Sequence, residues 1–264
     1  MENVPAKLFT TFNKVTYFDE PHKYYVGDKQ LISVTTLIDK FTEEFDEEYW
    51  SEYKANEFGL PQQEIKNAWK FINKVGVTKG SIIHDYAESL FQNKQFPYPK
   101  ERVESIFGYD PVYEQYVLTK KHVDTFYRFS IGRLLPIMLE LVVYDQEYGI
   151  AGMVDILFWN IKAQEFQIWD WKTNKDFTGW DKHIGYNKEE GKVNMLGPLG
   201  FLKDNDINHY SLQLGLYKHI IERNTGIKLG KSYLIWVSHL EDRFHAIEIL
   251  DRSMYIQKMI DAYV

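Results

Sequence analysis

The stretch "IWDWKTNK" (Ile168–Lys175) places Asp170 and Lys172 two residues apart in an apolar, aromatic run. On a β-strand, positions i and i+2 share a face. Asp170 and Lys172 therefore point one way while Trp169 and Trp171 point the other way, into packing. Burying either charge alone is costly, so each needs a partner. Upstream, "GMVDILF" carries Asp155 on the preceding strand. A hairpin lays such positions side by side and brings two carboxylates and an ammonium to one sheet edge.

Two neighbouring carboxylates repel each other unless a cation lies between them. Oxygen ligands of this kind suit Mg²⁺ or Mn²⁺, which also accept water and phosphate oxygens. Such an ion acidifies water and polarises a phosphoryl oxygen. Lys172 is placed to orient that water and to offset charge growing on the phosphate. Alone, Asp-x-Lys reads better as a surface ion pair worth about 0–1 kcal/mol; Asp155 on the neighbouring strand brings the metal reading level with it.

Outward from this stretch, "MLELVVYDQEYGIAGMVDILFWN" (Met138–Asn160) reads as two strands turning near Asp145–Gly149, and "EFQIWDWKTN" as a third. "NHYSLQLGLYKHIIERNTG" (Asn208–Gly226) has helical spacing, "SYLIWVSHL" and "RFHAIEIL" form a strand pair, and "DRSMYIQKMIDAYV" is a terminal helix. Towards the N-terminus, "KVTYFDEPHKYYVGDKQLIS" (Lys14–Ser33) reads as an antiparallel hairpin, with Ser33 as N-cap of a helix. Helices follow in "DEEYWSEYKANEF", in "PQQEIKNAWKFINKV", separately in "GSIIHDYAESLF" (Gly80–Phe91), and in Pro111–Ser130. Helices followed by β-β-β-α-β predict a mixed α/β (α+β) class, a sheet core at 131–264 behind an N-terminal hairpin and helical lobe at 1–130, together one structural unit. The Gly-rich stretch Asp181–Asp206 is expected to be a long mobile loop.

Composition narrows the classes. There are no cysteines, which excludes disulfides, thiolate zinc sites, iron–sulfur clusters and cysteine nucleophiles. The net charge of −7 speaks against a basic protein that coats DNA, although bound cations can reverse the local sign at a carboxylate site. No run approaches the roughly 18 apolar residues of a membrane helix, and "MENVPAKLFTTF" lacks a signal-peptide core, so a cytoplasmic location is expected. "GIKLGKS" (Gly226–Ser232) is no phosphate loop, because Thr225 stands where the first glycine is required.

Two helices flank the acid–lysine pair. "KGSIIHDYAESL" sets His84 and Glu88 at i, i+4, and "HYSLQLGLY" sets His209, Gln213 and Tyr217 at successive i+4 steps. Each alone is an ordinary helix face. In the order His84, Asp155, Asp170-x-Lys172, Gln213-x-x-x-Tyr217, they resemble the RecB-type branch of the PD-(D/E)xK nuclease superfamily. "YFDEPHKYY…ISVTTLIDKF" is similar to the start of phage-encoded exonucleases of that branch, whose relatives include the mitochondrial genome maintenance exonuclease. The likeness runs from about Tyr17 to Val237.

The resemblance implies a restriction-endonuclease-like core, a central mixed sheet flanked by helices. It implies Asp155 and Asp170 as ligands of one or two Mg²⁺ or Mn²⁺ ions, with the Trp171 carbonyl and His84 as further ligands. Lys172 would be the catalytic lysine, with Gln213 and Tyr217 steadying the site and contacting the nucleic-acid backbone. Glu140, on the strand before Asp155, would reach the metals through water, and Glu88 stands beside His84 on its helix. The implied activity is a metal-dependent DNA exonuclease acting on single strands or free ends in phage-type replication or recombination, with a partner protein from that process, in the host cytoplasm. The implied N-terminal helices arch over a single strand. The second acid is Asp where the branch usually has Glu, and "MV" precedes Asp155 where the superfamily name suggests proline. The rival readings are a non-cleaving nucleic-acid module on this fold and a structure- or sequence-specific endonuclease.

Overall fold

The structure, a computed structural model, describes residues 3–18, 23–181, 186–187 and 193–263. Helix α1 (Val4–Phe12) precedes three antiparallel strands, β1 (Val15–Phe18), β2 (Lys23–Val26) and β3 (Lys29–Ser33). A helical stretch follows: α2 (Val34–Asp39), α3 (Glu47–Phe58), α4 (Gln62–Phe91), α5 (Lys100–Phe107) and α6 (Tyr113–Ser130). Next come β4 (Leu134–Asp145), β5 (Ile150–Asn160) and β6 (Glu165–Lys172), then the short pair β7 (Trp180–Asp181) and β8 (Tyr186–Asn187). A 3₁₀ turn at Gly197–Leu199 leads to α7 (Asp206–Thr225), β9 (Tyr233–Trp236), β10 (His245–Glu248) and α8 (Ser253–Tyr263). The class is mixed α+β, a mixed central sheet flanked by helices.

The sheet runs β1-β2-β3-β5-β6-β9-β10, with β4 on the far edge of β5. Because β4 lies along β5 from Ile150 to Asn160, β3 and β6 must share the other edge. There β3 pairs in parallel with Ile150 and Ala151, and β6 pairs antiparallel with Ile156–Asn160. Between them β5 has no strand on that edge. This opening is a fork at which β6 leaves β5 and continues alongside β9.

Apolar layers on both sides fix which way each strand residue points. Ile156, Phe158, Trp169 and Trp171 pack with α4 and α6, whereas Leu157, Phe166 and Ile168 belong to the core shared with α1, α2, α7 and α8. Phe126 of α6 sits 5.4 Å from Trp169 and 5.2 Å from Trp171, ring centroid to centroid. Aromatic pairs of this kind contribute about 0.5–1.5 kcal/mol each beyond burial. Holding the two indoles on the α6 side commits Asp170 and Lys172 to the α7 side. Helix α7 is tied down at its far end, where Arg223 and Asn224 both bind the buried Asp145 carboxylate in the β4–β5 turn.

Local signals account for most helix starts. The Ser33 hydroxyl accepts the Thr36 amide at 3.0 Å, as the sequence predicts. Asp46 caps α3 through Tyr49, and Asn205 caps α7 through Asn208. Several expectations need correction. The two helices expected at 61–75 and 80–91 are one helix of 30 residues, α4. Gly80 is there for close approach, since a Cβ would lie 3.3 Å from the Thr173 hydroxyl. The N-terminal hairpin is a three-stranded meander joined to the central sheet through β3, its "DEPH" turn (19–22) lying outside the described residues. Helix α1 was not foreseen. Where a loop was expected at Asp181–Asp206, the described part holds β8, the 3₁₀ turn and a bridge between Asn194 and Lys203; residues 182–185 and 188–192 lie outside the described residues.

Gly152 of β5 lets α7 approach the fork: a Cβ there would stand 2.4 Å from Cε1 of the buried Tyr217 ring. Gly152→Ala is expected to destabilise the fold by roughly 1–3 kcal/mol through overpacking, read as a lower denaturant midpoint with an unchanged m-value. A midpoint equal to wild type would show that α7 can shift freely.

Candidate active site

The paired register of β5 and β6 ends at Ile156↔Trp169, and one step further brings Asp155 opposite Asp170. Opposed residues of antiparallel strands share a face. The aspartates thus meet where the strands part and ladder bonding stops. Both are buried, at 7% and 2% exposure. The Asp155 carboxylate takes over as acceptor at the split: its Oδ2 receives the Trp171 amide at 2.7 Å.

Lys172 Nζ lies 2.6 Å from Asp170 Oδ2 and donates to Gln213 Oε1 at 3.2 Å. Gln213 Nε2 in turn donates to the Tyr217 hydroxyl at 3.0 Å. Asp170, Lys172, Gln213 and Tyr217 therefore form one chain of contacts from β6 to α7. Tyr217 is buried and reaches Lys172 only through Gln213 in this chain. The i, i+4 spacing on α7 brings the pair together, whereas His209, one turn earlier, binds Asp204 at 2.6 Å instead. Tyr210, which sequence reasoning missed, lies under the ammonium, with Nζ 4.4 Å from the ring centroid. Its place three residues before Gln213 was the available signal.

From the other side, His84 Nδ1 of α4 stands 3.5 Å from Asp155 Oδ2. Glu140 of β4 falls between the pairs Leu139↔Ile156 and Leu141↔Val154, hence opposite Asp155. Its φ of 46° is left-handed, which costs a non-glycine residue on the order of 1–3 kcal/mol and recurs at functional sites. His84, Glu140 and Asp155 each present a ligand atom, all within 4.8 Å of one another. Glu88 sits one turn beyond His84, its carboxylate bound by Gln92.

Charge crowding shifts the proton affinities of the group. Burial, then the Asp170 charge, pushes Asp155 up to about 6 against the pull of His84, Lys172 and the Trp171 amide. Burial raises Glu140 to about 9, reinforced by Asp155, Glu88, Asp170 and Asp85. Burial pulls Lys172 down, but Asp170, Tyr210 and Asp155 outweigh it and leave the ammonium above the ordinary lysine value. Burial, with Asp170 next, holds the Tyr217 hydroxyl far above its usual range, so it stays protonated.

The donor set fits a divalent cation. Metal–oxygen bonds of about 2.1 Å span at most about 4.2 Å across an ion, so ligand atoms within 4.8 Å need to close by only a few tenths of an ångström. Asp170 Oδ2 is buried with the Lys172 ammonium 2.6 Å away, and a carboxylate keeps further lone pairs that a cation can use. The sequence-expected ligands divide accordingly: Asp155 and His84 fall in the three-residue group with Glu140, while Asp170 stands beside it, paired with Lys172. Trp171 is seen through its amide. A cavity of about 510 Å³ between α7, the end of β10 and the start of α8 contains none of these residues in its lining.

No family model matches the chain, and no curated protein matches it. Among solved structures, a Eubacterium rectale protein provisionally described as an exonuclease is similar over 72% of this chain at 15% identity, TM-score 0.41. The chain spans 63% of that protein. The protein SSO0001 is similar over 62% of this chain and 68% of its own at 16% identity, TM-score 0.27. Such distant likenesses carry no argument about activity.

Stability should report the crowding. Folded-state values raised above those of the unfolded chain stabilise at low pH and lose that contribution as pH rises. The metal-free protein should therefore lose stability progressively between about pH 4 and 9, with Asp155 acting up to about 6 and Glu140 up to about 9. Glu140→Gln should flatten the upper part of this dependence. Mn²⁺ or Mg²⁺ should raise Tm more at pH 8 than at pH 5.5 in a thermal melt; equal shifts at both would remove the cation from this group.

Proposed function

We propose that the protein is a divalent-metal-dependent deoxyribonuclease, acting as an exonuclease on single strands or free ends. The observation that carries this reading is the meeting of Asp155 and Asp170 at the fork, with Lys172 bound to one of them and His84 and Glu140 closing around the other.

In this reading Asp155, Asp170, Glu140 and His84 hold the cation or cations, with the Trp171 carbonyl as a further donor. The bound ion supplies Lewis acidity, polarising the phosphoryl oxygen and lowering the pKa of water. Mn²⁺ accepts the imidazole more readily than Mg²⁺ does, so both ions are candidates. Lys172, held by Asp170 on one side and Gln213 on the other, orients the attacking water and offsets charge on the phosphorane-like transition state. Water would add to phosphorus in line with the leaving oxygen as the P–O bond breaks, its proton passing through solvent water to the departing oxygen, with no covalent enzyme intermediate. Tyr217 fixes Gln213, and the Tyr210 ring supports the ammonium from below.

An intact Asp–Asp–Lys set with a charged, doubly held lysine favours catalysis over a non-cleaving module. The residue order and the helical stretch before the core favour end-directed action over a sequence-specific endonuclease. The division into 1–130 and 131–264, the cytoplasmic setting, and a role in phage-type replication or recombination with a partner protein belong to this proposal; the last rests on the resemblance. Among the described residues no helix is long and apolar enough to cross a membrane.

Asp155→Asn and Lys172→Ala are each expected to lower kcat on an end-labelled oligonucleotide by at least about 100-fold, with strand binding largely retained. If wild type and Lys172→Ala were equally inert in Mg²⁺ and in Mn²⁺, the nuclease reading would fail. Rapid cutting of closed circular single-stranded DNA would replace the exonuclease with an endonuclease.

A further inference from the structure

Just past Lys172 the chain is gripped at four consecutive carbonyls. Lys172 O accepts the Val237 amide at 2.8 Å and Thr173 O accepts Lys79 Nζ at 2.8 Å. Asn174 O accepts the Trp236 indole at 2.9 Å, and Lys175 O accepts the Ser238 hydroxyl at 3.0 Å. This run brings together side chains distant in sequence: Lys79 from α4, Lys175 from the exit of β6, and His239 from the segment after β9.

Lys79 is only 3% exposed, and a buried ammonium is costly unless its donors are used. Of its three donors, the Thr173 carbonyl engages one. His239 Nδ1 is buried without a hydrogen-bond partner. The Lys175 side chain is exposed and makes no ion pair among the described residues. Burial pulls Lys79 down to about 8. Burial also lowers His239, and the charges of Lys79 and Lys175 lower it further. Two ammonium groups and an imidazole thus crowd one another, Lys79 with donors to spare, and an anion would relieve both the repulsion and the unsatisfied burial.

We propose that Lys79, Lys175 and His239 form an anion site that receives a backbone phosphate of a nucleic-acid strand, next to the phosphate held at the fork. The segment from Lys172 to Lys175 spans at most about 10 Å, the reach from one phosphate to a near neighbour on the same strand. Anion binding follows from the basic cluster itself; only the identity of the anion as a strand phosphate rests on the nuclease reading. The two regions are complementary, a carboxylate side that takes a cation and a lysine–histidine side that takes an anion, separated by the end of β6.

The test is fluorescence anisotropy of a labelled single-stranded oligonucleotide in chelator, where no cleavage occurs, over a salt series. Lys175→Ala, His239→Gln and Lys79→Met are each expected to weaken binding about tenfold, the effect of one charged hydrogen bond. Each lysine variant should also reduce the slope of log affinity against log salt by about one. Wild-type affinity and slope in both Lys175→Ala and His239→Gln would overturn the site. These two positions are less buried, so they decide the matter even if Lys79→Met fails to fold. Weakened binding in the variants, with no cleavage by wild type in Mn²⁺, would keep the anion site and remove the nuclease reading. Normal cleavage with unweakened binding would do the opposite.

Discussion

The fold depends on a single electrostatic difficulty, the placing of two carboxylates side by side where β5 and β6 part. A paired strand has no free donors to offer them, so their position at the fork follows from their chemistry. There the Trp171 amide is released from the β5 ladder and turns to Asp155, and Lys172 can lean back on Asp170. Glu140 worsens the imbalance, and its left-handed backbone indicates that the surrounding β4–β5 pairing holds it in place against local preference. A site this short of positive charge is suited to receiving some.

Positive charge is present close by, but on the other side of the strand end. Lys79, Lys175 and His239 gather around carbonyls beyond Lys172, and none of them pairs with the carboxylates among the contacts described above. The same four-residue exit of β6 therefore borders an electron-rich group and an electron-poor one. Lys172 stands at their boundary, tied to Asp170 and Gln213.

Much of this was legible in the sequence because strand alternation is strict. Asp170-x-Lys172, alternating with two tryptophans, could face only one way once Phe126 and its neighbours claimed the indoles. Gln213 and Tyr217 were legible for the corresponding reason on a helix. The orientation of Glu140 was not, because it depends on an irregularity in β4 and a positive φ that no pattern announces. The gap expected between helices at 61–75 and 80–91 is closed in one continuous helix, because packing overrides the weak helix propensity of glycine, and Gly80 serves contact with Thr173. Lys79 and Tyr210 owe their roles to tertiary neighbours far along the chain, a kind of information that spacing does not carry.

The continuity of α4 has an evolutionary corollary. A boundary drawn at residue 130 leaves Asp155, Asp170 and Lys172 on one side, but His84 and Lys79 on the other, carried by the same unbroken rod. Tyr86, Ile82 and Ile83 of that rod also pack in the layer that shields Trp169 and Trp171. The C-terminal half is therefore not a transplantable cassette. Recombination that exchanged the leading half would have to supply a matching histidine and lysine, five positions apart on a helix, or leave Asp155 and the Thr173 carbonyl without their partners from α4.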